Sequence, residues 1–229
     1  MPKEKNQLFD DWPDKYDRWF ETPVGSVIRT SEVDLVMELL SPLAGEIILD
    51  AGCGTGLFTL DTLASGAVVV GLDLSFPMLS KAAARYQSLS LPFSPTVSDM
   101  MALPFKDNSF DKTVSVTALE FIEDAGGAVK ELFRVTKSGG IVVVATLNSL
   151  SPWADRRRRE AERTETIFSK AIFRSPQGML AMAPFPGIVK TAVHFPKDSD
   201  PEAAIKVEEE GRRKGFLTGA FVAVRWKKP

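Results

Sequence analysis

The chain has 229 residues, 44% of them hydrophobic and 25% charged, which suits one α/β domain with a substantial core. Its formal net charge of −2 gives no general attraction to nucleic acid or to an anionic membrane. Cys53 is the only cysteine, which excludes an intrachain disulfide, and no apolar run approaches the roughly 20 residues that a membrane span needs. Charged residues at 3–5 stand where a secretory signal would be apolar, so we expect a cytoplasmic protein, either a monomer or a homodimer.

The first 45 residues predict a helical segment in front of the core. Aromatic residues recur there at steps of three or four, as on one face of a helix that Pro13 interrupts: Phe9, Trp12, Tyr16, Trp19 and Phe20. This stripe either packs on the domain or covers a site as a lid whose rings line a substrate pocket, and the two interpretations are compatible. We expect Pro23 and Gly25 to break the helix and Ser31 to cap a second helix at 32–40.

A buried strand and a glycine-rich turn come next. Residues 47–49 form a short apolar run, typical of the middle of a parallel sheet. Gly52, Gly54 and Gly56 allow a sharp turn and the close approach of a ligand, and a helix is expected from near Leu57. The N–H groups at the start of that helix favour a carboxylate or a phosphate. We interpret the turn as a cofactor site, although a turn that only packs a helix on a strand would use the same glycines.

From here strands and helices alternate, which predicts a doubly wound, mostly parallel sheet with helices on both faces. With the strand at 46–49, the expected strands are 67–72, 96–98, 112–116, 141–145, 188–195 and 220–226. The expected helices are 57–64, 76–86, 126–135, 156–163 and 201–214. Gly139–Gly140 is predicted to be a tight turn that leads into the fifth strand.

An acidic residue follows each of the first three strands. Asp50, Asp73 and Asp99 would meet at the carboxyl edge of the sheet, where ligands bind in open α/β folds. Asp73 is placed to accept hydrogen bonds from both hydroxyls of a ribose. Packing does not require such a pattern, so it predicts a ligand site at this edge.

The last third of the chain differs in character. Arg156–Arg159 are four successive arginines, and they cannot form one basic stripe because successive helical positions point all round the axis. The favoured interpretation is a solvated helix with Glu160 and Glu162 as partners, and the other is a patch for an anionic substrate or RNA. His194, the only histidine, is expected to be structural or exposed. No His/Cys cluster has the spacing of a metal site, so no metal is expected.

Five segments in order carry a resemblance to a known family: ILDAGCGTG at 48–56, GLDLS at 71–75, SDMMALPF at 98–105, DNSFD at 107–111 and ELFRVTKSGG at 131–140. On these motifs the chain resembles the class I S-adenosylmethionine-dependent methyltransferases, in particular the ubiquinone/menaquinone-biosynthesis-like group that acts mostly on small molecules. The resemblance covers about residues 46–146. It implies a seven-stranded Rossmann-like sheet with an antiparallel edge strand, S-adenosylmethionine as cofactor and a small-molecule methyl acceptor.

The simplest division is a single methyltransferase domain over 1–229. Within it we expect a helical lid segment at 1–45 and a cofactor-binding core at 46–150. A substrate-side insertion and the last two strands would then occupy 151–229. The resemblance fades beyond residue 150, so the acceptor and the atom that is methylated are not predicted.

The resemblance also implies a partner for each part of the cofactor. Backbone N–H groups of the turn at 52–56 would bind its carboxylate, Asp50 its ammonium and Asp73 its ribose hydroxyls. Around the adenine we expect Leu74, Met78, Asp99 and Met100. Leu119 and Glu120 would lie near the sulfonium, and the aromatic faces of Tyr16 and Trp19 would stabilise its charge.

Methyl transfer is an in-line displacement in which the cofactor supplies the electrophile, so the protein aligns the partners and keeps water away. Tyr16 and Glu120 are the candidate catalytic residues. Glu120 would act as a general base only if the acceptor arrives protonated with a high pKa. A solvated or helix-capping carboxylate is the other interpretation of Glu120.

Three other functions are alternatives to small-molecule methyl transfer. A nicotinamide dehydrogenase also has an acid after its second strand, but Leu57 stands where its fingerprint has a third glycine. A catalytically silent S-adenosylmethionine-binding subunit would show a damaged cofactor motif, and none is visible. An RNA or protein methyltransferase is a further alternative. Nucleic acid is not expected as a partner because the chain lacks a basic charge and an Asn-Pro-Pro-aromatic run that would hold a flipped base.

Overall fold

The computed structural model describes residues 7–164 and 166–229, so residues 1–6 of the predicted lid segment, with the charged positions 3–5, lie outside the described residues. The strands are β1 (Ile47–Ala51), β2 (Val68–Asp73), β3 (Phe93–Val97), β4 (Phe110–Val116), β5 (Thr136–Leu147), β6 (Gly187–Ala192) and β7 (Phe221–Lys227). The α-helices are α1 (Pro13–Phe20), α2 (Pro23–Leu40), α3 (Thr59–Ala64), α4 (Phe76–Ser88), α5 (Ala125–Val135), α6 (Pro152–Ala161), α7 (Pro176–Leu180) and α8 (Pro201–Lys214). None of these helices is long and apolar enough to cross a membrane.

The seven strands form one sheet in the order β3-β2-β1-β4-β5-β7-β6. β1 to β5 run parallel, whereas β7 is antiparallel to both of its neighbours, β5 and the edge strand β6. The predicted α/β class, with a doubly wound, mostly parallel seven-stranded sheet and an antiparallel pair at one edge, is confirmed. The carboxyl ends of β1, β2 and β3 therefore lie side by side, as a shared site requires.

Apolar clusters cover both faces of the sheet. One joins α2 to the face that carries Ile48 and Val143, and the other joins α5 to the opposite face, with Leu49 and Val142. All four of these side chains have no exposed surface. Because neighbouring residues of a strand point to opposite faces, a strand covered on both sides is a continuous apolar run.

The N-terminal helix does end just before Pro23, at Phe20, but Gly25 lies inside α2, and the prediction that the second helix begins at 32 is wrong. Pro23 is the first residue of α2, and the Thr22 hydroxyl caps this helix by accepting from the Gly25 N–H (3.1 Å). Proline suits the first helical position because the N–H that it lacks would have no helical partner there. Ser31 lies inside the helix, where its hydroxyl donates to the Val27 carbonyl (2.9 Å) instead of capping a second helix.

The tight turn predicted at Gly139–Gly140 is an irregularity within β5 instead. Pairing with β4 steps from Phe110–Thr136 to Lys112–Ile141, so the extra residues bulge out of the ladder. Gly139 has φ +79°, a conformation that favours glycine. The other predicted strands and helices are found with shifted ends, and α6 begins at Pro152, four residues before the predicted helix, while α7 had no predicted counterpart.

Candidate active site

A cavity of about 250 Å³, called here the first cavity, opens at the carboxyl ends of β1, β2 and β3. Most of the residues predicted to bind a cofactor line it: Tyr16, Asp50, Gly52, Gly54, Asp73, Leu74, Met78, Asp99 and Met100. The three acids reach it from three neighbouring strand ends, as the sheet order requires. Ala118, from the loop after β4, also lines this cavity.

Asp73 is held in a fixed orientation at the end of β2. Its Oδ2 accepts from the Gly54 N–H and its Oδ1 from the Ser75 N–H, both at 2.9 Å. Burial raises the pKa of Asp73, while the hydrogen bonds from the backbone of Ser75 and Gly54 oppose the shift. Each carboxylate oxygen keeps a lone pair, so Asp73 can accept two further hydrogen bonds from a ligand.

Asp50 is the most buried of the three acids, at 4% exposure. Its Oδ2 accepts from the Thr59 hydroxyl (2.6 Å) at the start of α3. Burial raises the pKa of Asp50 to about 6, against the effect of the Thr59 hydrogen bond, and the nearby charge of Asp73 adds to the rise. A buried carboxylate beside a second carboxylate attracts a cationic group into the cavity.

Asp99 is exposed, and its Oδ1 accepts from the Met101 N–H (2.8 Å) at the start of a short 3₁₀ turn. Asp99 thus caps this turn with one oxygen and also lines the first cavity. Met100, 4% exposed, lies beside it as an apolar wall.

The glycine turn mainly shapes the cavity. A Cβ on Gly52 would lie 2.4 Å from the Ala118 Cβ, so only glycine lets the turn approach the loop after β4 this closely. Four N–H groups of the turn already donate within the protein: Gly52 and Cys53 to Leu72 O, Gly54 to Asp73 and Gly56 to Cys53 O. The predicted use of these groups to hold a cofactor carboxylate therefore has little support from the turn itself.

Four predicted residues do not line the first cavity. Gly56 packs against the Tyr86 ring, and Leu119 lies in the core with no exposed surface. Trp19 and Glu120 line a neighbouring cavity of about 230 Å³, called here the second cavity. Their placement follows from tertiary packing, because Trp19 comes from α1 and Glu120 from the segment after β4.

The two cavities share a wall. Phe9, Tyr16, Thr117 and Phe121 line both of them. The Tyr16 hydroxyl lies 3.5 Å from the Thr117 hydroxyl, and burial raises the pKa of Tyr16, so its phenol stays protonated. Phe9 meets Phe121 edge to face with ring centroids 4.9 Å apart. A group bound at this junction is within reach of both cavities.

Two carboxyl groups face the second cavity. Glu120 is 2% exposed and accepts from the Thr146 hydroxyl (2.9 Å), and burial raises its pKa to about 7. Glu32 of α2 is 6% exposed, and burial raises its pKa to about 8. Sequence reasoning missed Glu32, although the signal was there: it lies on the apolar stripe formed by Ile28 and Leu35.

The arginine run divides by helical position. Arg156 forms ion pairs with Glu160 and Asp198, both at 2.8 Å, as a solvated helix predicts. Arg157 instead turns toward the second cavity, with its guanidinium 4.2 Å from the centre of the Phe168 ring. The interpretation as a solvated helix thus holds for Arg156 but not for Arg157.

His194 is remote from both cavities. Its Nδ1 lies 3.0 Å from the Glu208 carboxylate and its Nε2 lies 3.0 Å from the Thr191 hydroxyl, and its side chain is almost wholly buried. The prediction of a structural histidine is confirmed. Within the described ranges, no group of three or more His, Cys, Asp or Glu residues is arranged to hold a metal ion.

Helix α1 is fastened over the first cavity by Asp17. This carboxylate accepts from the Thr55 hydroxyl (2.6 Å) and pairs with Arg85 (2.6 Å) and Lys81 (2.9 Å). Lys81 and Arg85 both belong to α4, so one buried acid ties the N-terminal segment to the glycine turn and to the helix after β2. The attachment places Tyr16 at the junction.

Comparisons with known proteins identify relatives of the chain. A family model described as a methyltransferase domain matches residues 49–144. The demethylmenaquinone methyltransferase of Streptomyces avermitilis is 29% identical over 231 aligned positions, which cover 98% of this chain and 94% of that protein. The malonyl-(acyl-carrier protein) O-methyltransferase of Erwinia billingiae is 42% identical over 105 residues, which cover 46% of this chain and 40% of that protein. Against the first three curated relatives, the match spans 40%, 47% and 62% of their length.

A solved structure supports the same fold. The S-adenosylmethionine-dependent methyltransferase from Thermotoga maritima superposes with a TM-score of 0.73 at 24% identity. The superposition covers 96% of this chain and 98% of that one. At this identity the likeness concerns the fold alone.

Proposed function

Because this chain belongs to the class I S-adenosylmethionine-dependent methyltransferases, we propose that it transfers the methyl group of S-adenosylmethionine to a small-molecule acceptor by in-line displacement. One observation carries the proposal: Asp50, Asp73 and Asp99 converge on a cavity that meets a second, aromatic cavity at Tyr16. The first cavity would hold the cofactor and the second the acceptor.

The donors of the first cavity fit this cofactor. Asp73 has lone pairs for the two ribose hydroxyls, and buried Asp50 suits the ammonium. The free oxygen of Asp99 suits the adenine amino group, between the apolar walls of Met78 and Met100. When bound, S-adenosylmethionine supplies a methyl group that is already activated on a sulfonium.

The protein's own contribution is alignment and the exclusion of water. Tyr16 lies at the junction with a protonated hydroxyl, so it positions an acceptor as a hydrogen-bond donor and does not act as a base. Glu120 lines the acceptor side with a pKa of about 7, so near neutral pH it can take a proton from an acceptor that must lose one. Trp19 contributes to the acceptor side in this arrangement.

The domain division is part of the proposal. The described part of segment 1–45 supplies α1 and α2, segment 46–150 supplies the acids, and segment 151–229 supplies α6 beside the second cavity. Both flanking segments thus contribute to the acceptor side. A cytoplasmic location and a monomeric or homodimeric state remain predictions.

The test is calorimetric titration with S-adenosylmethionine and with its demethylated product, S-adenosylhomocysteine. We expect dissociation constants roughly in the micromolar range. Asp73→Asn should weaken both at least about tenfold, since a hydrogen bond to a charged group contributes roughly 1.5–3 kcal/mol. Asp34→Asn, at an exposed acid of α2, is the matched control and should bind normally. Binding of NADH with no heat from either sulfur compound would overturn the assignment.

A turnover assay separates the enzyme from its alternatives. A metabolite library is screened for release of S-adenosylhomocysteine, with RNA and protein substrates in parallel. Release with a small molecule supports the proposal. Intact cofactor binding without turnover of any substrate would favour a catalytically silent subunit, and turnover with RNA or protein alone would replace the acceptor class.

A further inference from the structure

The second cavity holds a cation that methyl transfer, as proposed above, does not use. The guanidinium of Arg157 faces this cavity, 4.2 Å from the centre of the Phe168 ring and 5.5 Å from that of Trp153. Trp153 is 6% exposed and sits one helical turn before Arg157 on the same face of α6. The guanidinium is therefore stacked between aromatic side chains and directed into the cavity.

Arg157 has unused hydrogen-bonding capacity. Its neighbours are satisfied: Arg156 pairs with Glu160 and Asp198, and Arg158 donates to the Ser149 carbonyl. Among residues 7–164 and 166–229, no group accepts a hydrogen bond from Arg157 and no carboxylate lies within 4.0 Å of it. A guanidinium has five N–H donors, and those of the half-buried Arg157 are accessible from the cavity, so a bound ligand can supply their acceptors.

The nearby carboxyl groups neutralise this cation only in part. Burial raises the pKa of Glu32 to about 8 and that of Glu120 to about 7, in both cases despite the opposing charge of Arg157. At neutral pH Glu32 is therefore mostly protonated, and its hydroxyl can donate to an oxyanion. Arg156 and Glu160 line the cavity as an ion pair, and Lys15 and Lys197 add two further cations, so its wall favours an anion.

We propose that the second cavity binds acceptors with a flat apolar body and a carboxylate, and that the carboxylate pairs with Arg157. The fork of a guanidinium matches a carboxylate with two parallel hydrogen bonds, and the aromatic walls suit a flat body. Arg157 lines only the second cavity, whereas Tyr16 and Thr117 line both. An acceptor anchored at Arg157 therefore directs its other end toward the junction. This inference rests on the proposed function and adds the substrate class.

A cationic amine fits the same wall poorly. The ring faces of Trp153 and Phe168 that would stabilise an ammonium are already covered by the Arg157 guanidinium. Arg157 and Lys15 would also repel a second cation. The charge arrangement thus distinguishes between an acid and an amine of the same shape.

The experiment uses matched triplets of acid, amide and amine. Phenyl, indole and naphthyl scaffolds are each tested as the acetate, the acetamide and the ethylamine, by ligand-observed NMR titration of the full chain saturated with S-adenosylhomocysteine. We expect at least one acetate to bind about tenfold or more tightly than its amide and its amine. Arg157→Gln should remove this preference, and Arg159→Gln, at an exposed position on the same helix, should keep it. Arg157→Lys retains the positive charge but not the planar guanidinium that donates two parallel hydrogen bonds, so this variant should keep part of the preference for the acid.

Each outcome has a defined meaning. Equal affinities of acid and amide in every triplet, a preference for the amine, or an acid preference that survives Arg157→Gln would overturn the inference. The affinity of Arg157→Gln for S-adenosylhomocysteine should equal that of the unaltered chain, which shows that the variant is folded. If the unaltered chain does not bind S-adenosylhomocysteine, the proposed function fails, and the acid preference is then measured without it as a separate result.

Discussion

The three acids of the first cavity differ in their surroundings, so their substitution should have different effects. Asp73 is oriented by two backbone hydrogen bonds and Asp50 is buried against Thr59, whereas Asp99 is exposed and already caps a turn. Water competes for a hydrogen bond at an exposed acid much more than at a buried one. The contribution of each acid to ligand affinity should follow its burial.

Asp99→Ala should weaken S-adenosylhomocysteine binding about twofold to tenfold, because one hydrogen bond at an exposed site contributes roughly 0.5–1.5 kcal/mol. Asp73→Asn should weaken S-adenosylhomocysteine binding more than Asp99→Ala does. Calorimetric dissociation constants for the two variants, measured side by side, check the order. A loss for Asp99→Ala that equals or exceeds the loss for Asp73→Asn would contradict it.

Glu32 should make the protein less stable as the pH rises. Its pKa is about 8 in the folded chain against a reference value of 4.5, so between these values the folded state holds a proton that the unfolded state has released. The contribution of Glu32 to the free energy of unfolding is fully present below about pH 4.5 and is lost as the pH rises to about 8. Glu32→Gln removes the titration, so its stability relative to the unaltered chain should increase with pH.

Urea unfolding at pH 5 and at pH 8.5 measures this difference. We expect Glu32→Gln to gain roughly 2 kcal/mol or more in relative free energy of unfolding between the two pH values. Asp34→Asn, an exposed acid on the same helix, should show no such gain. A pH-independent difference for Glu32→Gln would mean that Glu32 is ionised in the folded chain.

At the level of elements, one buried acid makes most of the polar contacts that join α1 to the glycine turn and to α4. Asp17 is 9% exposed and joins α1 to Thr55 of the turn and to Lys81 and Arg85 of α4. Removing one partner of a buried ion pair leaves the other charges uncompensated. The position of α1 over the first cavity should therefore be sensitive to Asp17 and insensitive to neighbouring exposed acids.

Asp17→Asn should accelerate limited proteolysis within residues 9–25 and weaken S-adenosylhomocysteine binding. In the unaltered chain the same ligand should slow cleavage there, because Tyr16 of α1 lines the first cavity. Mass spectrometry of the fragments locates the cuts. Asp14→Asn, at an exposed acid of α1 that pairs with Lys81 alone, is the control and should be cleaved at the normal rate. Equal cleavage with and without ligand would count against a lid.

Helix α6 explains why Arg157 is the arginine that stacks against aromatic rings. Trp153 and Ala154 are buried and fix the inner face of the helix, and Arg157 follows Trp153 by one turn. Arg156 and Arg158 lie to either side of that face and reach partners at the surface. The helical period therefore determines the direction of each arginine once the buried face is known.

At the scale of the whole molecule, a ligand that binds only the folded chain must stabilise all of it. S-adenosylhomocysteine at a hundred times its Kd adds about 2.7 kcal/mol to the free energy of unfolding. For a chain of this length each kcal/mol raises Tm by about 2–4 °C, so we expect an increase of roughly 5–10 °C. A thermal melt checks this, with NADH at the same concentration as the control. An increase with NADH, or none with S-adenosylhomocysteine, would contradict the cofactor assignment.

Local sequence patterns were sufficient to predict the alternation of strands and helices, the glycine turn and the acids at three strand ends. These features depend on local periodicity, backbone conformation and the order of strands, so Asp50, Asp73 and Asp99 could be predicted to share one edge. Helix ends were less predictable, because a proline such as Pro23 can start a helix as readily as it ends one. Here Thr22 caps α2, so Pro23 is the first residue of that helix.

Which residues share a cavity depends on tertiary packing and could not be predicted from local patterns. Trp19 and Glu120 were expected at the cofactor, but the packing of α1 and of the segment after β4 places them in the second cavity. The same packing brings Glu32 of α2 and Arg157 of α6 to one wall, although they are far apart in the chain. No local sequence pattern predicts that such distant residues share a cavity, because this depends on how separate helices cross the edge of one sheet.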